Sequence, residues 1–140
     1  DSLTRERLYD GGMELPTVPR AVRARQHRYA YGQATDREGA NGLVKVDTET
    51  GSAREWWERG VYVEEPRVVR HPEAGDPVEG GPEAGEAGDE DRGVVLAPAL
   101  DVDAERSMLL IFDARTLEEL ARAPLPHHHP FGFHGRFFPE

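Results

Sequence analysis

Four histidines fall within eight residues near the end of this 140-residue sequence: His127, His128, His129 and His134. Neutral imidazole is the commonest side-chain ligand for zinc, copper and iron, so the run invites a metal site. Strand geometry separates the candidates. Successive residues of a strand point to opposite faces, so the consecutive His127, His128 and His129 cannot converge on one ion. His134 stands apart, among Phe131, Phe133 and Phe137, with Gly132 and Gly135 close by. These surroundings predict a site shielded from water, where glycine lets other backbone approach closely. From the pattern alone, a buried histidine satisfied by hydrogen bonds is the plainer reading and a metal ligand the sharper one.

The elements that must position such a group are short apolar runs punctuated by turns, with no long helical period. Arg28 to Tyr31 and Gly42 to Asp47 have strand composition, rich in β-branched and aromatic residues. Thr48 to Gly51 reads as a tight turn, with Gly51 able to supply a positive φ, and Ala53 to Trp57 as the returning strand. Tyr62 to Arg70 is expected as one further strand. Gly93 to Leu100 and Ser107 to Asp113 follow, the latter apolar enough to be buried on both faces. Ala114 to Glu118 makes a turn, and Glu119 to Leu125 returns.

Two halves therefore share one plan, an apolar strand ending in Asp, a short turn and a returning strand. Val44 to Asp47 with Thr48 to Trp57 aligns in this way with Leu110 to Asp113 and Ala114 to Leu125. Repeated antiparallel units of this size are the signature of propeller blades. Two blades alone leave large apolar faces bare, which predicts a piece of a larger propeller.

Composition narrows the partners. The chain has no cysteine, which excludes disulfides and thiolate metal sites. A net charge of −10 argues against binding duplex nucleic acid, which needs a basic face. No run approaches the roughly 20 apolar residues of a transmembrane helix, and no signal-peptide pattern opens the sequence, so a cytoplasmic location is the default expectation. Much of the negative charge lies between Glu73 and Asp91, where Glu73, Asp76, Glu79, Glu83, Glu86, Asp89, Glu90 and Asp91 are set among Gly, Pro and Ala. An acidic docking loop is one reading; a solvated insertion is the expected one.

The hexapeptide Pro130-Phe131-Gly132-Phe133-His134-Gly135 resembles the closing motif of the carotenoid cleavage oxygenases, the family that includes the retinal pigment epithelium isomerase. Glu64-Glu65-Pro66-Arg67-Val68-Val69-Arg70-His71-Pro72 looks like that family's Glu-Pro strand. Glu90 to Leu96 resembles its acidic turn and following strand, and Leu110 to Leu117 with Glu119 to Arg122 its next hairpin. Met13-Glu14-Leu15-Pro16 looks like an earlier Glu-x-Pro element, and Tyr29-Ala30-Tyr31-Gly32 like the strand after it. The matches run in order along most of the chain.

The resemblance implies an all-β fold, the last antiparallel blades of a seven-bladed propeller, with residues 1–140 as the C-terminal portion of one domain. Members of the family resemble one another in holding a ferrous iron with four histidines, three of them oriented by second-shell glutamates. By position, His134 is implied as the last ligand to Fe(II) and Glu65 as the carboxylate on its ring. Glu14 is implied as the partner of an earlier ligand absent from this chain. Taken alone, Glu65 reads as a surface residue at a strand start; the motif reverses that weighting. A ligating imidazole presents one nitrogen as a lone pair, so its other nitrogen carries a proton and needs an acceptor.

The implied parent activity is cleavage of a conjugated double bond of a carotenoid or apocarotenoid by dioxygen, giving aldehyde or ketone products. Such substrates live in membranes, which implies peripheral contact with a bilayer through segments outside this chain. The remaining blades are required partners, and the 140-residue chain by itself is expected to be inactive. Departures from the family pattern are Val68, where an aromatic residue is usual, and the long acidic segment after Pro72. His128 and His129 fall where the family varies and are read as non-ligands, and His27 and His71 occupy no ligand motif. The beginning at Asp1 reads as an arbitrary or processed start, and Phe137-Phe138-Pro139-Glu140 as a natural end. A non-enzymatic propeller module that binds a protein partner is the alternative. A small metal protein built on His127 to His134, binding nickel or zinc, is a second. Isomerisation of retinoid esters or cleavage of stilbene-like substrates are variants of the chemistry.

Overall fold

The computed structural model describes residues 3–71, 90–130, 132 and 134–138. Most of the acidic segment, and Phe131 and Phe133, lie outside the described residues.

Among the described residues two antiparallel sheets form. In the first, β1 (Met13–Thr17), β2 (Tyr29–Ala34), β3 (Gly42–Asp47) and β4 (Ala53–Trp57) follow one another across the sheet. The second is built on the long β7 (Gly93–Asp101), which pairs with β8 (Arg106–Asp113), and β8 with β9 (Glu119–Pro124). The other edge of β7 is covered by β5 (Val61–Val63) and β6 (Arg67–Arg70) in turn. Each sheet is the four-stranded meander of a propeller blade, β5 and β6 together filling one strand position. The all-β antiparallel expectation holds. Tyr62 to Arg70 differs from expectation, because it is interrupted at Glu64-Glu65-Pro66 and is not one strand.

The sheets pack face to face. Val95, Ala97 and Ala99 of β7 lie opposite Phe112, Leu110 and Met108 of β8, small residues against large ones, and all are buried. Tyr31 and Leu43 of the first sheet join the same cluster. Trp56 meets Phe112 edge to face at 4.9 Å, a geometry worth about 0.5–1.5 kcal/mol beyond burial. The Tyr31 hydroxyl donates to the Ala114 carbonyl at 2.9 Å, bonding one sheet to the other. Burial pushes that phenol well above its usual pKa, helped by the charges of Asp91 and Glu90, so it stays a donor.

The strand Ser107 to Asp113 is not buried on both faces, as its composition suggested. Met108, Leu110 and Phe112 are buried, while Leu109 and Ile111 are half-buried on the opposite face. Glu90 and Asp91 also depart from the expectation of a solvated segment, both being buried. The Glu90 carboxylate accepts from the backbone N–H groups of Arg28 and Tyr29, each at 2.9 Å. Asp91 accepts from Lys45 Nζ at 2.7 Å. A buried carboxylate needs charge or hydrogen-bond compensation, and here the first sheet supplies it. Among the described residues no helix is long and apolar enough to cross a membrane.

Candidate metal-ligand site

The break between β5 and β6 sets the site. Val63 pairs with Ala99 and Arg67 with Leu96, so four steps on one strand oppose three on β7. That extra residue is a β-bulge, a device that re-aims side chains. The sequence favours it locally because two prolines meet there. Pro66 has no N–H to donate, and neither has Pro98, whose carbonyl accepts from Glu64 N at 2.8 Å. N–H and C=O of one strand residue face the same edge, so the donor Pro98 lacks is the one that would face the bulge.

Leu125, just after β9, still donates its N–H to the Ser107 carbonyl at 2.9 Å, and beyond it the described residues form no strand. Ser107, itself buried, holds the near part: its Oγ accepts from His129 N at 2.8 Å and contacts the His129 carbonyl at 3.3 Å. The far part is held at the bulge. Glu65 Oε2 accepts from Gly135 N at 3.0 Å, and Glu65 Oε1 lies 3.3 Å from His134 Nδ1. Arg67 donates to Glu65 Oε2 and to the Gly135 carbonyl, both at 2.5 Å, and to Thr17 Oγ1 at 3.4 Å.

Glu65 and His134, predicted from sequence, are therefore brought together. An ionised carboxylate only accepts, so this contact calls for a proton on Nδ1, and in the neutral ring Nε2 is then the lone-pair nitrogen. The Glu65 side chain is 9% exposed and the His134 ring 73%. Of the phenylalanines expected to shield His134, Phe131 and Phe133 lie outside the described residues. Phe137 is itself half-exposed, and a Cβ at Gly135 would meet nothing within 4 Å. Glu64, Glu65, Leu96, Pro98, Leu109, His129 and His134 are among the walls of a cavity of about 240 Å³.

Glu14 is not brought to His134. It sits on β1 opposite Gln33, with its side chain exposed. Directly opposed residues share a sheet face, and from that face the Gln33 amide donates to the Val63 carbonyl, one residue before Glu64. His127 and His128 are exposed, and His129 Nδ1 lies 3.9 Å from Glu64 Oε1. Val68 packs, partly buried, against the shared core. Sequence reasoning missed Arg67 and Ser107. Arg67 had a signal, since it stands two residues after Glu65 at the strand period; Ser107 had none.

Among the described residues no group of three or more His, Asp or Glu side chains could hold a metal ion. The donor chemistry at His134 nevertheless fits one position of a metal shell: a lone-pair nitrogen turned away from a carboxylate that fixes the tautomer.

Antiparallel blade-like sheets, with a histidine tied to a carboxylate at a strand bulge, define a portion of an all-β propeller protein. The chain matches the family model described as retinal pigment epithelial membrane protein over residues 1–139. It is 33% identical over 132 residues to the mitochondrial carotenoid-cleaving dioxygenase of Macaca fascicularis, covering 93% of this chain and 21% of that protein. To the chloroplastic carotenoid cleavage dioxygenase 8 homolog A of Oryza sativa subsp. japonica it is 34% identical over 130 residues, covering 91% and 21%. The solved structure of cobalt-substituted Synechocystis apocarotenoid oxygenase superposes with a TM-score of 0.74 at 28% identity, covering 92% of this chain and 26% of that one. The chain belongs to the retinal pigment epithelial membrane protein family, as its motifs implied, and spans about a fifth of the length of these curated relatives.

Proposed function

We propose that this chain is the part of an iron(II)-dependent dioxygenase that supplies the last histidine ligand, and that the whole protein cleaves a double bond of a carotenoid or apocarotenoid. The observation that carries this reading is the His134–Glu65 contact at 3.3 Å, in a chain whose relatives are named for carotenoid cleavage. His134 offers Nε2 to the metal, and Glu65 holds the proton on Nδ1. Glu14 takes the same part for an imidazole outside this chain. A bound ferrous ion supplies a site for dioxygen and the redox chemistry of cleavage. One C=C and one O₂ give two carbonyl products, so no further reductant is needed.

The apolar wall of Leu96, Pro98 and Leu109 suits a polyene and helps exclude water. The remaining blades complete the ligand set and cover the exposed ring. Such a substrate is drawn from a bilayer, so the whole protein meets the membrane peripherally and is otherwise a cytoplasmic-type protein. The test uses the full-length protein. Wild type is expected to bind iron and to place oxygen from labelled O₂ in both products of a carotenoid substrate. His134→Ala is expected to lose bound iron and to lower cleavage by more than about 100-fold. Full activity and iron content in His134→Ala would overturn the assignment.

A further inference from the structure

Arg67 makes contacts that a surface arginine has no reason to combine. Its Nη2 donates to Glu65 Oε2 and its Nε to the Gly135 carbonyl, both at 2.5 Å, while Nη1 reaches Thr17 Oγ1 at 3.4 Å. The Gly135 N–H in turn donates to the same Glu65 oxygen at 3.0 Å. A closed ring results, in which both polar groups of residue 135 are held by Glu65 and Arg67. The neighbouring residue is His134. Beyond Leu125 the described residues form no strand, and this ring ties the backbone beside His134 to the bulge.

We propose that Arg67 is the positioning residue that sets the His134 imidazole, an inference that rests on the reading of His134 as a metal ligand. The guanidinium acts through two routes. It places positive charge beside the buried Glu65 carboxylate and fixes which oxygen is left for His134 Nδ1. It also pins the peptide that carries the ring. The planar fork matters, because three donors in fixed directions reach three acceptors from β1, the bulge and the final segment; a lysine ammonium is a point charge without that reach. Arg67 also stands with Gly135, Arg136 and Phe137 in the wall shared by the cavity of about 240 Å³ and a neighbouring one of about 650 Å³. The position is thus at the border of the site and not remote from it.

The test is made on full-length protein stripped of metal and titrated with cobalt(II), reading affinity, the visible cobalt absorption and the unfolding midpoint of the metal-free form. Arg67→Met is expected to weaken cobalt binding about 10-fold or more and to alter the absorption band, in a metal-free form that still folds although its midpoint falls as Glu65 loses its cation. Arg67→Lys is expected to recover part of the affinity but not the wild-type band. If Arg67→Met does not fold, Arg67→Lys decides alone: wild-type affinity and band overturn the proposal. So does wild-type cobalt binding by Arg67→Met when His134→Ala has lost it. Wild-type binding by His134→Ala instead overturns the ligand reading itself, which separates the two failures.

Discussion

Glu14 and Glu65 occupy equivalent places, each at a register break in the first strand position of its sheet. On β1, three steps from Glu14 to Thr17 oppose two from Gln33 to Tyr31. Leu15 there takes a positive φ of 48°, in the region that L residues other than Asn and Asp seldom adopt. On the second sheet the extra residue falls at Glu64-Glu65-Pro66. Both breaks free a carboxylate from the regular alternation of the pleat. On the proposed reading they serve two different imidazoles. Glu65→Gln and Glu14→Gln in the full-length protein are each expected to lower iron affinity or activity about 10- to 100-fold, the range for outer partners of ligating histidines. Wild-type iron binding in Glu65→Gln would remove that residue from the metal's support, whatever the effect of Glu14→Gln.

Lys45 and Asp91 form the charged joint between the sheets, with side chains 6% and 10% exposed. Lys45 Nζ also donates to the Arg115 carbonyl at 3.1 Å and lies 4.0 Å from the Tyr29 ring centre. Removing one member of a buried pair strands the other, at a cost of about 3–5 kcal/mol. Asp91→Ala is expected to show that loss in denaturant unfolding. Lys45→Met is expected to cost less, because Asp91 keeps the Arg115 guanidinium at 3.5 Å. The double substitution Lys45→Met with Asp91→Leu is expected to recover most of the loss. A double variant as unstable as the sum of the singles would show that the two side chains act separately.

The hairpins show how far the sequence could be read. Asp47, Asp101 and Asp113 each turn Oδ1 back onto the N–H groups two and three residues on. Four residues after each Asp, the chain takes a positive φ, at Gly51 (71°), Glu105 (48°) and Leu117 (58°). Only Gly51 announced this in the sequence, although the Asp-ended strands and their turns were plain at Asp47 and Asp113. A left-handed φ costs an L residue about 1–2 kcal/mol, and glycine returns part of that as chain entropy. Glu105→Gly, at an exposed position, is expected to stabilise the protein by about 0.5–1 kcal/mol. Leu117→Gly should destabilise it, because Leu117 is buried in the shared core. A destabilised Glu105→Gly would show that the turn is not strained there.

Strand order and pairing were legible because alternation and turn residues are local signals. The break at Glu64 to Pro66 was not, since it depends on where Pro98 falls on a strand more than thirty residues away. Glu90 and Asp91 misled for a related reason. Their neighbours in sequence are acidic and rich in glycine, but their partners, Lys45 and the N–H groups of Arg28 and Tyr29, belong to the other sheet. The His134–Glu65 pairing was legible through family resemblance, whereas the degree to which the ring is covered depends on partners outside the described residues of this chain.

The 140-residue chain brings one of the histidines that the proposed centre needs, with its ring largely exposed. Purified alone, it is expected to show no carotenoid cleavage when supplied with iron(II) and oxygen. In the full-length protein, replacing His127, His128 and His129 together by Ala is expected to leave iron content unchanged. Stoichiometric iron with activity in the isolated chain, or loss of iron in the triple variant, would favour a self-contained site in the histidine run.

Asp47 gives the first-sheet hairpin a pH dependence that can be signed. Hydrogen bonds from the Arg28 guanidinium, one at 2.8 Å and two at 3.1 Å, hold its carboxyl well below the usual carboxylate range, opposed by partial burial and aided by the N–H groups of Glu49 and Thr50. A carboxyl depressed in the folded state binds its proton more readily when unfolded. Its stabilisation is therefore complete above the unfolded pKa of about 4 and fades as pH falls through the folded value. Asp47→Asn is expected to lower the unfolding midpoint at pH 7 and at pH 5, with a penalty that shrinks steadily below about pH 4. A penalty unchanged from pH 7 to the most acid point at which the protein stays folded would assign the effect to the lost Oδ2 acceptor alone, since Asn keeps Oδ1 for the N–H groups of Glu49 and Thr50. The charge of Asp47 would then contribute nothing to holding Arg28 across the hairpin.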